Sequence, residues 1–208
     1  MVKLARPRTL SNIKLLLAFS GAFLLSITVF ELLPEVYLKL EARIIGLLIM
    51  VGILFQIFLE FFSKGAEHGH IHIHQEQKGF PWLLFISLCI HAFMEGFPIN
   101  QHNDMVYGVL IHKIPIAVLI TSYFIESGFK NMQVISALFI FGMMTPLGTY
   151  ISNVAVIDER IISYISAVVI GIFLHISTII LFESSEGHKF NLQKIIVIAA
   201  AVAIAYFI

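Results

Sequence analysis

Two short runs of this chain place ionisable side chains inside otherwise apolar stretches: residues 91–96 (HAFMEG) and residues 112–115 (HKIP). Such groups are costly in a bilayer, usually face the interior of a helix bundle, and mark functional sites. His91 and Glu95 are four residues apart, so on a helix they share one face. An imidazole nitrogen and a carboxylate oxygen on one face form a chelate that suits a divalent metal ion.

The composition indicates a membrane protein. The 208 residues are 59% hydrophobic and 12% charged, with a mean hydropathy of +0.94, whereas a soluble domain has about 25% charged residues. The formal net charge is zero, which gives no sign of a nucleic-acid partner. With a single cysteine, Cys89, the chain has neither a disulfide framework nor a thiolate metal cage. We expect the lipid bilayer and a metal ion as partners, and no resident cofactor.

Seven apolar segments predict an all-α, polytopic membrane helix bundle that forms one transmembrane domain over residues 1–208. The first six segments are close to the roughly 20 residues that a spanning helix needs, and the last segment is shorter. The segments are too long for barrel strands and lack the alternating polarity of such strands. They cover residues 14–33, 44–62, 81–98, 105–125, 132–152, 161–182 and 194–208.

Basic residues between the segments predict the orientation. If the spans alternate, most of the Lys and Arg side chains fall on the side of the N-terminus, and the positive-inside rule makes that side cytoplasmic. We therefore expect a plasma-membrane or bacterial inner-membrane protein with its C-terminus outside. The other side carries only Lys39, Arg43 and Arg160; the cytoplasmic group is Lys3, Arg6, Arg8, Lys14, Lys64, Lys78, Lys130, Lys189 and Lys194.

The longest predicted cytoplasmic loop, residues 63–80, is rich in histidine. His68, His70, His72 and His74 alternate with other residues, so in an extended chain they point to one side. Histidine-rich tracts of this kind bind metal ions. The alternative is a polar loop whose histidines coordinate metal only adventitiously.

Four further polar side chains in or beside the apolar segments are candidate accessory ligands. Glu31 and Glu35, again four residues apart, end the first segment and could instead be solvated at the outer interface. Thr145 could equally serve helix packing, as small polar residues often do. His175 could simply hydrogen-bond across a pair of helices.

Lys113 and two prolines complete the pattern around the two runs. Lys113 lies in the middle of its segment, so we expect it to pair with Glu95 or to stand where a second metal ion would bind. Pro115 lacks an N–H group and leaves a carbonyl without its helical partner, and Pro98 is predicted to do the same to Met94. Transporters build their sites from such broken helices with polar groups near the midplane.

These residues resemble the Zrt/Irt-like protein (ZIP) family of divalent-metal transporters. Residues 91–96 are similar to the His-x-x-x-Glu-Gly motif of the family's fourth helix, and residues 112–119 (HKIPIAVL) to its fifth-helix motif. Residues 21–35 resemble its second helix, and loop 63–80 lies where the family carries a variable cytoplasmic loop. Family members usually have eight helices, so the seven segments imply that the family's first helix is missing here.

The resemblance implies transport of a divalent cation into the cytoplasm by alternating access, with zinc first and iron or manganese next. It also implies that the chain could form a homodimer. Some members hold two metal ions, but the positions here that match the additional ligands are mostly poor ones: Ala92, Lys113, Ile116 and Thr145. We therefore expect one ion, bound by His91, Glu95 and His112, with a fourth ligand that could be water, a freed carbonyl or Glu31.

Two other functions stay open at this point. A seven-helix, zinc-dependent intramembrane hydrolase would fit the Ser-x-x-x-His spacing of Ser87 and His91. Such a site needs further closely spaced histidines, and neither a downstream His-x-x-x-His nor a HExxH motif is present. The second alternative is a metal sensor that does not transport ions.

Overall fold

The computed structural model describes residues 7–63, 80–100, 104–154, 158–183 and 192–208. Every regular element in these ranges is helical, so the all-α prediction is confirmed. The elements are α1 (Pro7–Ile27), a π-helical turn (Thr28–Leu32), α2 (Leu33–Lys39), α3 (Ala42–Ser63), α4 (Trp82–Met94), a 3-10 turn (Pro98–Asn100), α5 (Met105–Glu126), α6 (Asn131–Val154), α7 (Glu159–Glu183) and α8 (Leu192–Phe207). Since α1, the π-helical turn and α2 are continuous, the described helices form seven rods, one for each apolar segment.

The first rod is longer than the segment predicted from the sequence, which ended at residue 33. The helix continues through Pro34 to Lys39. A proline inside a helix crowds the carbonyl four residues earlier. Here the turn before Pro34 is a π-helix, in which the N–H of Leu33 donates to the carbonyl of Thr28. The wider turn relieves the clash, so the proline does not end the helix.

Five of the rods are long and apolar enough to cross a membrane: residues 13–39, 42–63, 105–126, 131–154 and 159–182. The helices α4 and α8, with 13 and 16 residues, are apolar but shorter. The spanning helices α3 and α6 expose many large apolar side chains, as helices in contact with lipid do. The protein is therefore an integral membrane protein.

The buried apolar side chains of the described residues form three separate cores, and α5 contributes fully buried side chains to two of them. The first core joins α1, α2, α3, α7 and α8, and Met105 and Val109 from the N-terminal half of α5 belong to it. The second core joins α4 and α6, and Ile116 and Ile120 from the C-terminal half of α5 belong to that one. The change from one core to the other falls at His112 to Pro115, so the predicted site lies where the cores meet.

Glycines allow two pairs of helices to approach unusually closely. A Cβ at Gly96 would overlap the carbonyl oxygen of Thr145, which brings the end of α4 against α6. A Cβ at Gly52 would overlap the carbonyl oxygen of Val168, which brings α3 against α7. The first contact fixes the helix that carries His91, and the second joins two helices that contribute to the first core.

Candidate metal centre

His91, Glu95 and His112 meet between α4 and α5. Oε1 of Glu95 lies 2.8 Å from Nε2 of His91 and 3.8 Å from Nε2 of His112. Each residue places one ligand atom within 4.8 Å of the other two, and none of the side chains is more than 1% exposed. Among the described residues, this is the only group of three or more histidine, cysteine or acidic side chains with such an arrangement.

The spacing of the three ligand atoms suits a small divalent ion. Ligands about 2.0–2.1 Å from a tetrahedral zinc ion lie roughly 3.3 Å from one another. The separations of 2.8 and 3.8 Å fall on either side of this value. Small side-chain shifts would therefore let two imidazoles and one carboxylate surround an ion, with the fourth position left open.

Glu95 lies just beyond the end of α4, in a tight turn. Its backbone N–H still donates to the carbonyl of His91, at 3.1 Å, so the helical spacing of the two side chains is preserved. The interpretation that Pro98 frees the carbonyl of Met94 was wrong. The chain leaves the α-helix before the proline, and the N–H of Phe97 donates to that carbonyl at 3.2 Å.

Lys113 pairs with the carboxylate oxygen of Glu95 that does not face the histidines. Its Nζ lies 2.7 Å from Oε2 of Glu95, as the pairing expected from the sequence requires. It also donates to Oγ1 of Thr145 and lies 5.0 Å from the ring centroid of Phe141. The Thr145 hydroxyl in turn donates to the carbonyl of Ala92 at 2.7 Å. The ammonium group thus links α5 to both α4 and α6.

The other candidate ligands lie apart from the cluster. Nε2 of His175 on α7 is 2.8 Å from Oε2 of Glu60 on α3. Of the two interpretations of His175, ligand or hydrogen bond across a helix pair, the structure shows the hydrogen bond. Glu35 pairs with Lys39 one turn along α2. Glu31 lies half-buried in the π-helical turn and is not among the clustered ligands. The loop histidines His68, His70, His72 and His74 lie outside the described residues.

Glu60 is a polar residue in an apolar segment whose role was not predicted from the sequence. It stands near the end of a long apolar run, where the cost of a carboxylate in a bilayer should have marked it as a residue with a partner. Gln56, one turn earlier on α3, is fully buried. The position of Glu60 in an apolar run indicates that it has a partner. It does not indicate that the partner is His175, which is 115 residues away.

Comparison with known proteins finds a matching family model and distant relatives. A family model described as ZIP Zinc transporter matches residues 63–208, which include all three clustered residues. Zinc transporter ZIP1 of Danio rerio is 27% identical over 101 residues, which are 46% of this chain and 33% of that protein. Protein zntD of Dictyostelium discoideum is 23% identical over 150 residues, which are 62% of this chain and 22% of that protein. The matched region of this chain therefore covers about a third or less of each relative's length.

Proposed function

Because the chain belongs to the ZIP zinc transporter family, we propose that it carries divalent metal ions, zinc foremost, across a membrane into the cytoplasm. The observation that carries the proposal is the buried cluster of His91, Glu95 and His112. Two imidazole nitrogens and one carboxylate oxygen suit Zn²⁺ and also Fe²⁺ or Mn²⁺, whereas Cu⁺ prefers sulfur ligands. The family is one of transporters, which argues against the hydrolase.

The site takes one ion at a time. Lys113 places an ammonium group 2.7 Å from Oε2 of Glu95, whereas the histidines lie near Oε1. A second divalent ion there would meet a fixed positive charge in a region of low dielectric constant, where repulsion between like charges is strong. Lys113 therefore stands in for the second ion that some family members bind.

The two cores suggest how the site opens alternately to the two sides. His91 and Glu95 are attached to α4, which packs with α6 in the second core, while α5 passes from one core to the other beside His112. Movement of α4 and α6 against the remaining helices would change the separation of the ligands. An ion held by few protein ligands can enter and also leave. A cytoplasmic N-terminus follows from the positive-inside rule, and the homodimer stays a prediction.

The test is zinc flux into proteoliposomes. The parent chain has the loop histidines replaced by asparagine at positions 68, 70, 72 and 74, and it is compared with its His112→Ala variant. Flux in the parent that collapses in the variant supports transport through the cluster. Equal flux in both would contradict the site. Zinc binding without flux in the parent would favour a sensor.

A further inference from the structure

We propose that Thr145 is a positioning residue which, through Lys113, keeps Oε2 of Glu95 away from the metal ion, so that Glu95 binds the ion through Oε1 alone. The inference rests on the proposed function, since it concerns the way in which that same site holds its ion. It gives Thr145 a role different from that of an accessory ligand.

The hydrogen bonds of Thr145 define this role. A threonine hydroxyl has one proton to donate and lone pairs with which to accept. The proton is donated to the carbonyl of Ala92, at 2.7 Å. The oxygen then accepts from Nζ of Lys113, which has no acceptor capacity of its own. The hydroxyl is thus held to the backbone of α4, and it keeps the ammonium group of Lys113 beside Oε2 of Glu95.

Because of Lys113, the two carboxylate oxygens of Glu95 have different surroundings. Oε2 accepts a hydrogen bond from Nζ of Lys113 at 2.7 Å. Oε1 lies 2.8 Å from Nε2 of His91 and 3.8 Å from Nε2 of His112. A carboxylate can bind a metal ion through one oxygen or through both. With Oε2 occupied, the protein offers the ion three ligand atoms, and four-coordination is completed by one further ligand. If Lys113 is released, Oε2 can turn to the ion and add a further bond.

Thr149 provides a matched control one helical turn away. Its hydroxyl donates to the carbonyl of Gly96 at 2.8 Å, so it also joins α6 to the end of α4. The bonds shown for Thr149 go to backbone carbonyls and not to Lys113. Thr149→Val therefore removes a helix-to-helix bond of the same kind without freeing the ammonium. Thr145→Ser keeps the hydroxyl and should preserve the arrangement.

The experiment uses the full chain in detergent with Co²⁺ as the probe, because four-coordinate Co²⁺ absorbs visible light much more strongly than five- or six-coordinate Co²⁺. The spectrum of the His112→Ala variant is subtracted to remove binding by the loop histidines. We expect an intense band for the parent, Thr145→Ser and Thr149→Val, and a marked loss of intensity for Thr145→Val. Lys113→Met should give the same loss, and adding Thr145→Val to Lys113→Met should change nothing more.

Several outcomes would overturn the inference. Thr145→Val could keep the parent spectrum, or Thr149→Val could lose intensity equally, which would point to helix packing alone. If Thr145→Val does not fold, an unchanged spectrum in Lys113→Met contradicts the inference by itself. If the parent shows no band that depends on His112, the proposed function fails together with the inference. If that band is present and only the Thr145 result differs, the proposed function stands and the inference fails.

Discussion

Gly148 on α6 lies so close to the carbonyl group of Phe93 on α4 that a Cβ at this position would overlap the carbonyl oxygen. The hydroxyls of Thr145 and Thr149 donate to carbonyls at the end of α4 on either side of this contact. The part of α4 that carries His91 is therefore fixed against α6 by backbone contact and not only by apolar side chains. A change that separates these two helices should affect the proposed metal site directly.

Gly148→Ala should lower both zinc affinity and stability. Forcing an atom into a tightly packed contact typically costs about 1–3 kcal/mol, and the displacement acts on the turn that holds Glu95. The matched control is Gly142→Ala on the same helix, where a Cβ would meet nothing within 4 Å. The control should be neutral or slightly stabilising, because alanine favours a helix by about 1 kcal/mol over glycine. Isothermal titration with zinc and thermal melting measure both effects, and equal affinity in the two variants would contradict the argument.

Lys113→Met should destabilise the metal-free protein far more than it destabilises the zinc-loaded protein. Removing one partner of a buried ion pair costs about 3–5 kcal/mol, because a charge is left without compensation. Glu95 is 1% exposed, and a bound zinc ion would supply the missing positive charge. Lys39→Met is the control, since the pair with Glu35 is partly exposed and should be worth about 0–1 kcal/mol. Thermal melts with zinc and with chelator test this, and a deficit that zinc does not reduce would count against it.

His175→Asn should leave zinc binding at the cluster unchanged. His175 is engaged with Glu60 on α3 and lies outside the group of ligand atoms. The comparison is His112→Asn, which removes a clustered nitrogen and should abolish the binding. Both variants are titrated with zinc in a background without the four loop histidines. A loss of affinity in His175→Asn comparable to that in His112→Asn would make His175 a ligand after all.

Sequence reasoning succeeded where a single helix determines the geometry. The spacing of His91 and Glu95 predicts a shared face, because four residues make about one helical turn. The meeting of α4 with α5 depends on packing between helices, and only the family resemblance anticipated that His112 would join the pair. Contacts of higher sequence separation, such as Glu60 with His175, are not encoded in any local pattern. The π-helical turn before Pro34 was not predicted, because a proline in a sequence usually indicates the end of a helix.

Glu95→Gln should abolish the stabilisation of the protein by zinc, while Glu35→Gln should retain it. A ligand present at 100 times its dissociation constant stabilises the folded state by about 2.7 kcal/mol, so the parent should melt at a higher temperature when zinc is added. The glutamine amide at position 95 keeps the size of the side chain but removes the negative charge that both the ion and Lys113 require. Glu35 is a matched control because it also lies in an i, i+4 pair, with Lys39 on α2.

The comparison of Glu95→Gln with Glu35→Gln requires the background without the loop histidines, so that zinc bound elsewhere does not contribute to the shift. A shift lost only in Glu95→Gln would support the cluster as the zinc site. A shift kept in Glu95→Gln would remove the central carboxylate from the site and, with it, the basis of the proposed transport path. A shift lost in both variants would mean that Glu35 also contributes to zinc binding, although it pairs with Lys39 in the structure.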